Sequence, residues 1–251
     1  MAERFKDHFS QRSEAYRDCR PDYPPELFTW LASLPPRRET ALDCGCGTGQ
    51  ASVALAAHFQ MVYAVDPSEE QIRHAVPHER VSYLVAPAEA TGLPQGSMDL
   101  VIAAQSLHWF DCDRFYIEVR RVAREGAFFA AFTYGLLTVN GKVDEVLGRF
   151  YHSILGPYWP PERTHVDAGY RTLPFPFDEI ASPPFTMRKE WQLERLLGYL
   201  GTWSAVMEYR RLHGIDPVAD IAPEFQKVWG SPEMHKEIKW PLVLRVGRID
   251  K

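Results

Sequence analysis

The chain has 251 residues, 45% of them hydrophobic, with 28 Lys and Arg against 33 Asp and Glu and a formal net charge of −5. That is enough apolar material for one large core, and the basic residues form no dense cluster that would track phosphates, which excludes nucleic acid as the expected partner. No apolar run approaches the roughly 20 residues that span a bilayer, and Met1-Ala2-Glu3-Arg4-Phe5-Lys6-Asp7 lacks the apolar stretch of an export signal, so no membrane partner and a cytoplasmic location are expected.

In chain order, residues 24–34 read as a helix carrying Leu27, Phe28 and Leu31 on one side. A short strand over 41–43 follows and runs into Asp43-Cys44-Gly45-Cys46-Gly47-Thr48-Gly49, where three alternating glycines come after an acidic residue. A strand that ends in such a turn and opens a helix, here over 49–59, lets backbone approach a ligand where side chains would clash and aims free N–H groups at it. The spacing Asp-x-Gly-x-Gly-x-Gly departs from the dinucleotide fingerprint Gly-x-Gly-x-x-Gly, in which a diphosphate sits on the helix. A carboxylate would repel a diphosphate but suits a ligand with an amino group, and the order points to S-adenosylmethionine.

The next strand, Met61-Val62-Tyr63-Ala64-Val65-Asp66, stops at an acidic residue 17 positions after Gly49, where a carboxylate can accept both hydroxyls of a ribose. Ser68-Glu69-Glu70-Gln71 is a capping box, so a helix starts directly after Asp66-Pro67 and runs to about residue 76. Strands over 81–86, 99–105 and 126–134 follow, with a helix over 113–124 between the last two. Such alternation predicts an α/β fold, Rossmann-like and doubly wound, with right-handed crossovers.

Residues 36–134 resemble the class I S-adenosylmethionine-dependent methyltransferases, in the form of the type 11 methyltransferase domain. The resemblance rests on the glycine turn, on Asp66, on Tyr83-Leu84-Val85-Ala86-Pro87-Ala88-Glu89 and on Met98 through Gln105-Ser106-Leu107-His108-Trp109-Phe110. It implies a seven-stranded, mostly parallel sheet with helices on both faces and one antiparallel strand. Asp43, Gly45, Gly47, Gly49, Asp66, Pro67, Ala88, Glu89 and Gln105 would then hold the cofactor, although Pro87 stands where the family often has an acidic residue for the adenine amino group. Tyr16 with Arg20-Pro21-Asp22-Tyr23-Pro24, and Gly198-Tyr199-Leu200-Gly201-Thr202-Trp203-Ser204, are similar to segments of the branch that includes the trans-aconitate methyltransferases. That branch implies a small-molecule acceptor, with a carboxylic acid as the candidate class.

Tyr16 and Arg20 are counted with the cofactor residues. A planar guanidinium at Arg20, or at Arg17 beside it, would pair the methionine carboxylate with two hydrogen bonds; the alternative is a surface arginine anchoring a lid. His108, just past the fourth strand, is the candidate general base, with packing or cofactor contact as the competing reading. His108, Trp109, Tyr199 and Trp203 are the candidate acceptor contacts, the last two being four apart on one expected helix face. Glu89 has a second reading as a turn cap, and Asp99, at the wrong end of its strand, reads as structural.

Beyond residue 134 comes a segment crowded with Phe150, Tyr151, Tyr158, Trp159, Tyr170, Phe175, Phe177 and five prolines, which reads as a cap, mostly a satellite core over the sheet. Two strands over 185–191 and 239–249 follow, with helices over 193–210 and 217–229 between them. The expected organisation is an N-terminal helical lid (1–35), a cofactor-binding core (36–134), an inserted cap (135–182) and C-terminal elements completing the same domain (183–251). Cys44 and Cys46 fall at variable positions of the glycine turn and, with Cys19 and Cys112, bring no recognisable metal spacing, so no metal is expected. A methyltransferase, monomeric or homodimeric, is the leading reading. A nicotinamide-dependent oxidoreductase and a non-catalytic cofactor-binding protein are the alternatives.

Overall fold

The computed structural model describes residues 21–250. After helix α1 (Pro25–Ser33), the chain alternates β1 (Thr40–Cys44), α2 (Gln50–Ala56), β2 (Met61–Asp66), α3 (Glu69–Arg73), β3 (Val81–Val85) and β4 (Met98–Ala104). Helix α4 (Cys112–Val122) then leads into β5 (Ala123–Tyr134). The cap carries α5 (Gly141–Arg149), one π-helical turn (Phe150–Ile154), α6 (Arg163–Asp167) and a short strand β6 (Asp178–Ile180). The chain ends with β7 (Phe185–Trp191), α7 (Leu193–Leu200), α8 (Ser204–His213), α9 (Pro217–Trp229) and β8 (Lys236–Arg248).

The sheet order is β3-β2-β1-β4-β5-β8, with β6 and β7 both paired to the far side of β8. β1 to β5 pair in parallel, whereas β8 runs antiparallel to β5, β6 and β7. Long β8 holds β7 along residues 236–242 and β6 along 246–248, so the two share the seventh position end to end. The expected seven-stranded order is therefore present with eight strands. The additional one, β6, lies inside the segment that reads from sequence as cap alone, because three polar and apolar residues carry no strand period that a sequence pattern can detect.

Alternate residues along the strands feed two cores, one on each face. Ala41, Val62, Leu100, Ile102, Ala130 and Phe132 pack against α1, α2, α5, α7, α8 and α9. Leu42, Val65, Val101, Ala103, Phe129 and Ala131 pack against α4, Val166 of α6 and the Tyr170–Phe177 stretch. The cap aromatics thus divide between the two faces: Phe150 joins the first core, Tyr170 and Phe177 the second.

The single helix expected over 193–210 is two helices. Thr202 donates its hydroxyl to the Tyr199 carbonyl at 2.7 Å, and Trp203 N–H turns back to Leu200 O, so local bonds replace the helical ladder at Gly201-Thr202-Trp203. Ser68 caps α3 as the motif predicts, accepting from Gln71 N–H, but the helix stops at Arg73. Asp99 sits at a register shift of β4, where it accepts from the N–H groups of Glu39 and Thr40 and pairs with Arg124; it braces the edge of the sheet remote from the glycine turn.

Candidate functional site

In the order β2-β1-β4 the connections leave β1 in opposite directions, which opens a crevice at the C-terminal ends of these strands. The glycine turn closes one side of it. Gly45 and Cys46 donate to Val65 O at 2.8 and 3.0 Å, and Gly47 donates to Asp66 Oδ2 at 2.8 Å. Asp66 Oδ1 takes Ser68 N–H at 2.9 Å, so this carboxylate ties the turn to the start of α3.

The glycines are needed by the protein before any ligand arrives. A Cβ on Gly45 would come within 2.6 Å of Ser106 Cβ, and one on Gly49, whose φ is +85°, would collide with the Tyr83 hydroxyl. Ser106 further locks the loop after β4 to the turn by donating to Cys44 O at 2.7 Å.

Asp43 is wholly buried beneath the turn. Its Oδ2 accepts the Ser52 hydroxyl at 2.6 Å, whereas Oδ1 has no hydrogen-bond partner among the described residues. Burial raises its pKa, and the nearby Asp66 charge adds to the effect against the Ser52 hydrogen bond, so the carboxyl is pushed up to about 7. A buried carboxylate oxygen without a donor is costly, and a ligand ammonium at the turn would satisfy it. The residues present therefore fit the amino group that the motif calls for.

Other expected cofactor residues are committed to the protein as well. Glu89 accepts Asp111 N–H at 2.9 Å, anchoring the start of α4. Ala88 is buried in the α4-side core. Gln105 has a φ of +56°, unusual for a residue with a side chain; its amide accepts from Thr133 Oγ1 and Tyr134 N–H and donates to Tyr134 O, joining the ends of β4 and β5. Tyr16, Arg17, Cys19 and Arg20 lie outside the described residues. The remainder of their motif enters beside the turn, where Gln50, the first residue of α2, donates to Pro21 O at 3.0 Å.

Past β4, His108 accepts or shares the Tyr170 hydroxyl at Nδ1, 2.9 Å away. Tyr170 also has a positive φ, +61°, so both non-glycine residues in this conformation among the described residues, Gln105 and Tyr170, lie near His108 in sequence or in space. Burial, with the charge of Arg163 next, pushes the His108 pKa down to about 3, leaving the ring neutral throughout the physiological range. Trp109 lies tilted against His108 at 4.8 Å. Tyr199 and Trp203, separated by the helix break, still meet edge to face at 6.0 Å. Trp203 in turn touches Tyr151 and Trp159 at 5.6 and 5.5 Å. Four participants escaped the sequence reading. Ser52 could have been found as a small polar residue in the middle of an Ala/Val/Leu helix, and Arg163 as a cation among aromatics and prolines; Thr133 and Tyr170 carry no such signal.

A strand-order switch point with a glycine turn, a strand-end Asp66 and an amine-seeking Asp43 defines a class I S-adenosylmethionine-dependent methyltransferase. The family model described as a methyltransferase domain matches residues 42–131. A Dictyostelium discoideum protein named as a methyltransferase is 31% identical over 234 residues, covering 92% of this chain and 89% of its own. A Mycobacterium tuberculosis protein named as an uncharacterized methyltransferase is 37% identical over 177 residues, 68% of this chain and 66% of its own. Among solved structures, a protein of Anaeromyxobacter dehalogenans described as a type II methyltransferase superposes with a TM-score of 0.87 at 57% identity, covering 91% of this chain and 97% of the other. The chain belongs to the S-adenosylmethionine-dependent methyltransferases, and the nicotinamide reading falls. Among the described residues no helix is long and apolar enough to cross a membrane.

Proposed function

We propose that the enzyme methylates a small molecule and that the reacting group of this acceptor is a carboxylate. The reading is carried by His108: this ring, in the turn that follows β4, is neutral and already engaged by Tyr170. An alcohol, phenol or amine must lose a proton during transfer, and a ring with a pKa of about 3 is a poor acceptor for it. A carboxylate arrives ionised and needs no base.

S-adenosylmethionine supplies an activated methyl on a sulfonium; the acceptor oxygen forms the new O–CH3 bond as the C–S bond breaks, and the C–S electron pair stays on sulfur. The remaining task of the chain is to hold both reactants in line and exclude water, which at ideal alignment is worth up to about 7–11 kcal/mol. Asp43 would take the amino group, Asp66 the ribose hydroxyls, and the Gly45–Gly49 backbone the methionine moiety, with Pro67, Ala88, Glu89 and Gln105 around the nucleoside and Tyr16 and Arg20 toward the carboxylate. His108 and Trp109 form a wall of the acceptor chamber, with Tyr199 and Trp203 opposite. The free Cys44, Cys46 and Cys112 accord with a reducing compartment, the cytoplasm.

The test is a panel of acids, phenols, alcohols and amines incubated with enzyme and cofactor, with S-adenosylhomocysteine and methylated product followed by mass spectrometry. Methyl esters are expected. Turnover confined to phenols or amines would remove the carboxylate reading.

A further inference from the structure

The cap brings one cation into the aromatic cluster beside His108. Arg163, the first residue of α6, has only 19% of its side chain exposed. Its guanidinium lies over the Trp159 ring at 4.9 Å and the Tyr151 ring at 5.4 Å. Nε donates to the Tyr151 hydroxyl at 2.6 Å and faces Asp167 Oδ1 at 3.3 Å. Nη1 and Nη2, the two-pronged end of the group, have no acceptor among the described residues.

Charge balance sharpens the point. Asp167 is 42% exposed and divides Oδ1 between Arg163 and the Tyr151 hydroxyl, so the carboxylate is the more exposed partner of the pair and is shared with a second donor. A guanidinium withdrawn from water is costly unless an anion meets it on the buried side. His108, Tyr170, Tyr151 and Tyr199 all lie close enough to couple to its charge, and α6 packs against the Leu107–Trp109 turn that follows β4.

We propose that Arg163 anchors the acceptor, and that the acceptor is a planar aromatic acid. The free Nη donors hold both carboxylate oxygens through one lone pair each, a second lone pair of one oxygen faces the methyl group, and the ring of the acid lies among Trp159, Trp203 and Tyr199. The planar fork suits a carboxylate in two-point geometry, and flat indole walls favour a flat partner. This proposal rests on the carboxylate reading above and goes beyond it by assigning the residue that selects the acid and the shape selected.

The experiment compares cinnamate, hexanoate and cinnamyl alcohol as acceptors for the wild type and for Arg163→Met, Arg163→Lys and Trp159→Leu, with cofactor dissociation constants and melting curves measured in parallel. The wild type is expected to favour cinnamate over hexanoate in kcat/KM by about tenfold or more and to leave cinnamyl alcohol untouched. Arg163→Met should raise the cinnamate KM by about a hundredfold with cofactor affinity unchanged, and Arg163→Lys by about tenfold, since charge without the fork is retained. Should Arg163→Met not fold, the Lys variant decides, and an unchanged KM there overturns the proposal. Equal use of hexanoate, or wild-type KM in Arg163→Met, overturns it while leaving the carboxylate reading intact. Methylation of cinnamyl alcohol without any acid overturns both. If none of the three is turned over, cinnamate added to the complex with S-adenosylhomocysteine must quench Trp fluorescence in the wild type and not in Trp159→Leu; no quenching overturns the proposal.

Discussion

The cofactor side and the acceptor side of the crevice are built from different materials. Around the turn, the main chain of Gly45–Gly49, two strand-end carboxylates and Ser52 make most of the contacts, braced by Ser68 and Ser106. Across from it, Tyr151, Trp159, Arg163, Tyr170, Tyr199 and Trp203 come from three separate stretches and meet mainly through side chains. The turn is fixed by backbone geometry, which tolerates little change, whereas the proposed acceptor side is built from side chains of the cap and of the segment at the end of α7, where loosely patterned sequence leaves room for variation.

The sharpest break in this comparison is expected at Asp43. Asp43→Asn should weaken S-adenosylmethionine binding by about a hundredfold or more in calorimetry, since a buried charge partner for the ammonium is removed. The same change should stabilise the free protein at alkaline pH. A folded pKa near 7 lies above the ordinary 3.8, so the stability this carboxyl contributes is complete below pH 3.8 and lost as pH rises toward 7. Above that window Asp43→Asn should raise the melting temperature, on the order of 2–4 °C for each kcal/mol relieved. A lowered melting temperature at pH 8 would show that the Ser52 bond outweighs the buried charge.

Next in size is the turn itself. Gly49→Ala should destabilise the free protein by about 1–3 kcal/mol in chemical denaturation, and Tyr83→Ala in the same chain should recover part of that loss. Full binding and stability in Gly49→Ala alone would mean that Tyr83 gives way freely.

A third effect concerns pH. Since the ammonium pairs with ionised Asp43, cofactor affinity should fall about tenfold between pH 8 and pH 6, and Asp43→Asn should abolish this slope. A flat profile in the wild type would contradict the titration of Asp43 in the free enzyme.

The smallest effect is expected from the acceptor-side histidine. At saturating cofactor, His108→Ala should change kcat on an acid acceptor by less than about tenfold, and the rate should stay level from pH 6 to 8, because a neutral ring takes no proton from a carboxylate. A hundredfold loss with a new pH dependence would restore His108 as a base.

How much of this was readable in advance follows the same division. The strand-turn-helix at 40–56, the Ser68 cap and the strand ending at Asp66 were legible because short-range period and turn chemistry decide them. β7 and α9 were legible as well, one from its strand pattern and the other bounded by Asp216 and Gly230. The break at Gly201 and strand β6 were not, since a side-chain hydrogen bond and the excess length of β8 produce them.

By itself, the order of residues determined a doubly wound sheet, its cofactor and the backbone that receives it, because each of these is settled by neighbours within a few positions. Only the tertiary structure decided that Asp43 lies buried with one oxygen unanswered, that His108 is kept neutral by burial and the nearby Arg163 and that Arg163 stands among the aromatics. Those facts depend on burial and, for His108 and Arg163, on a charge 55 positions away in the chain, which no local pattern encodes.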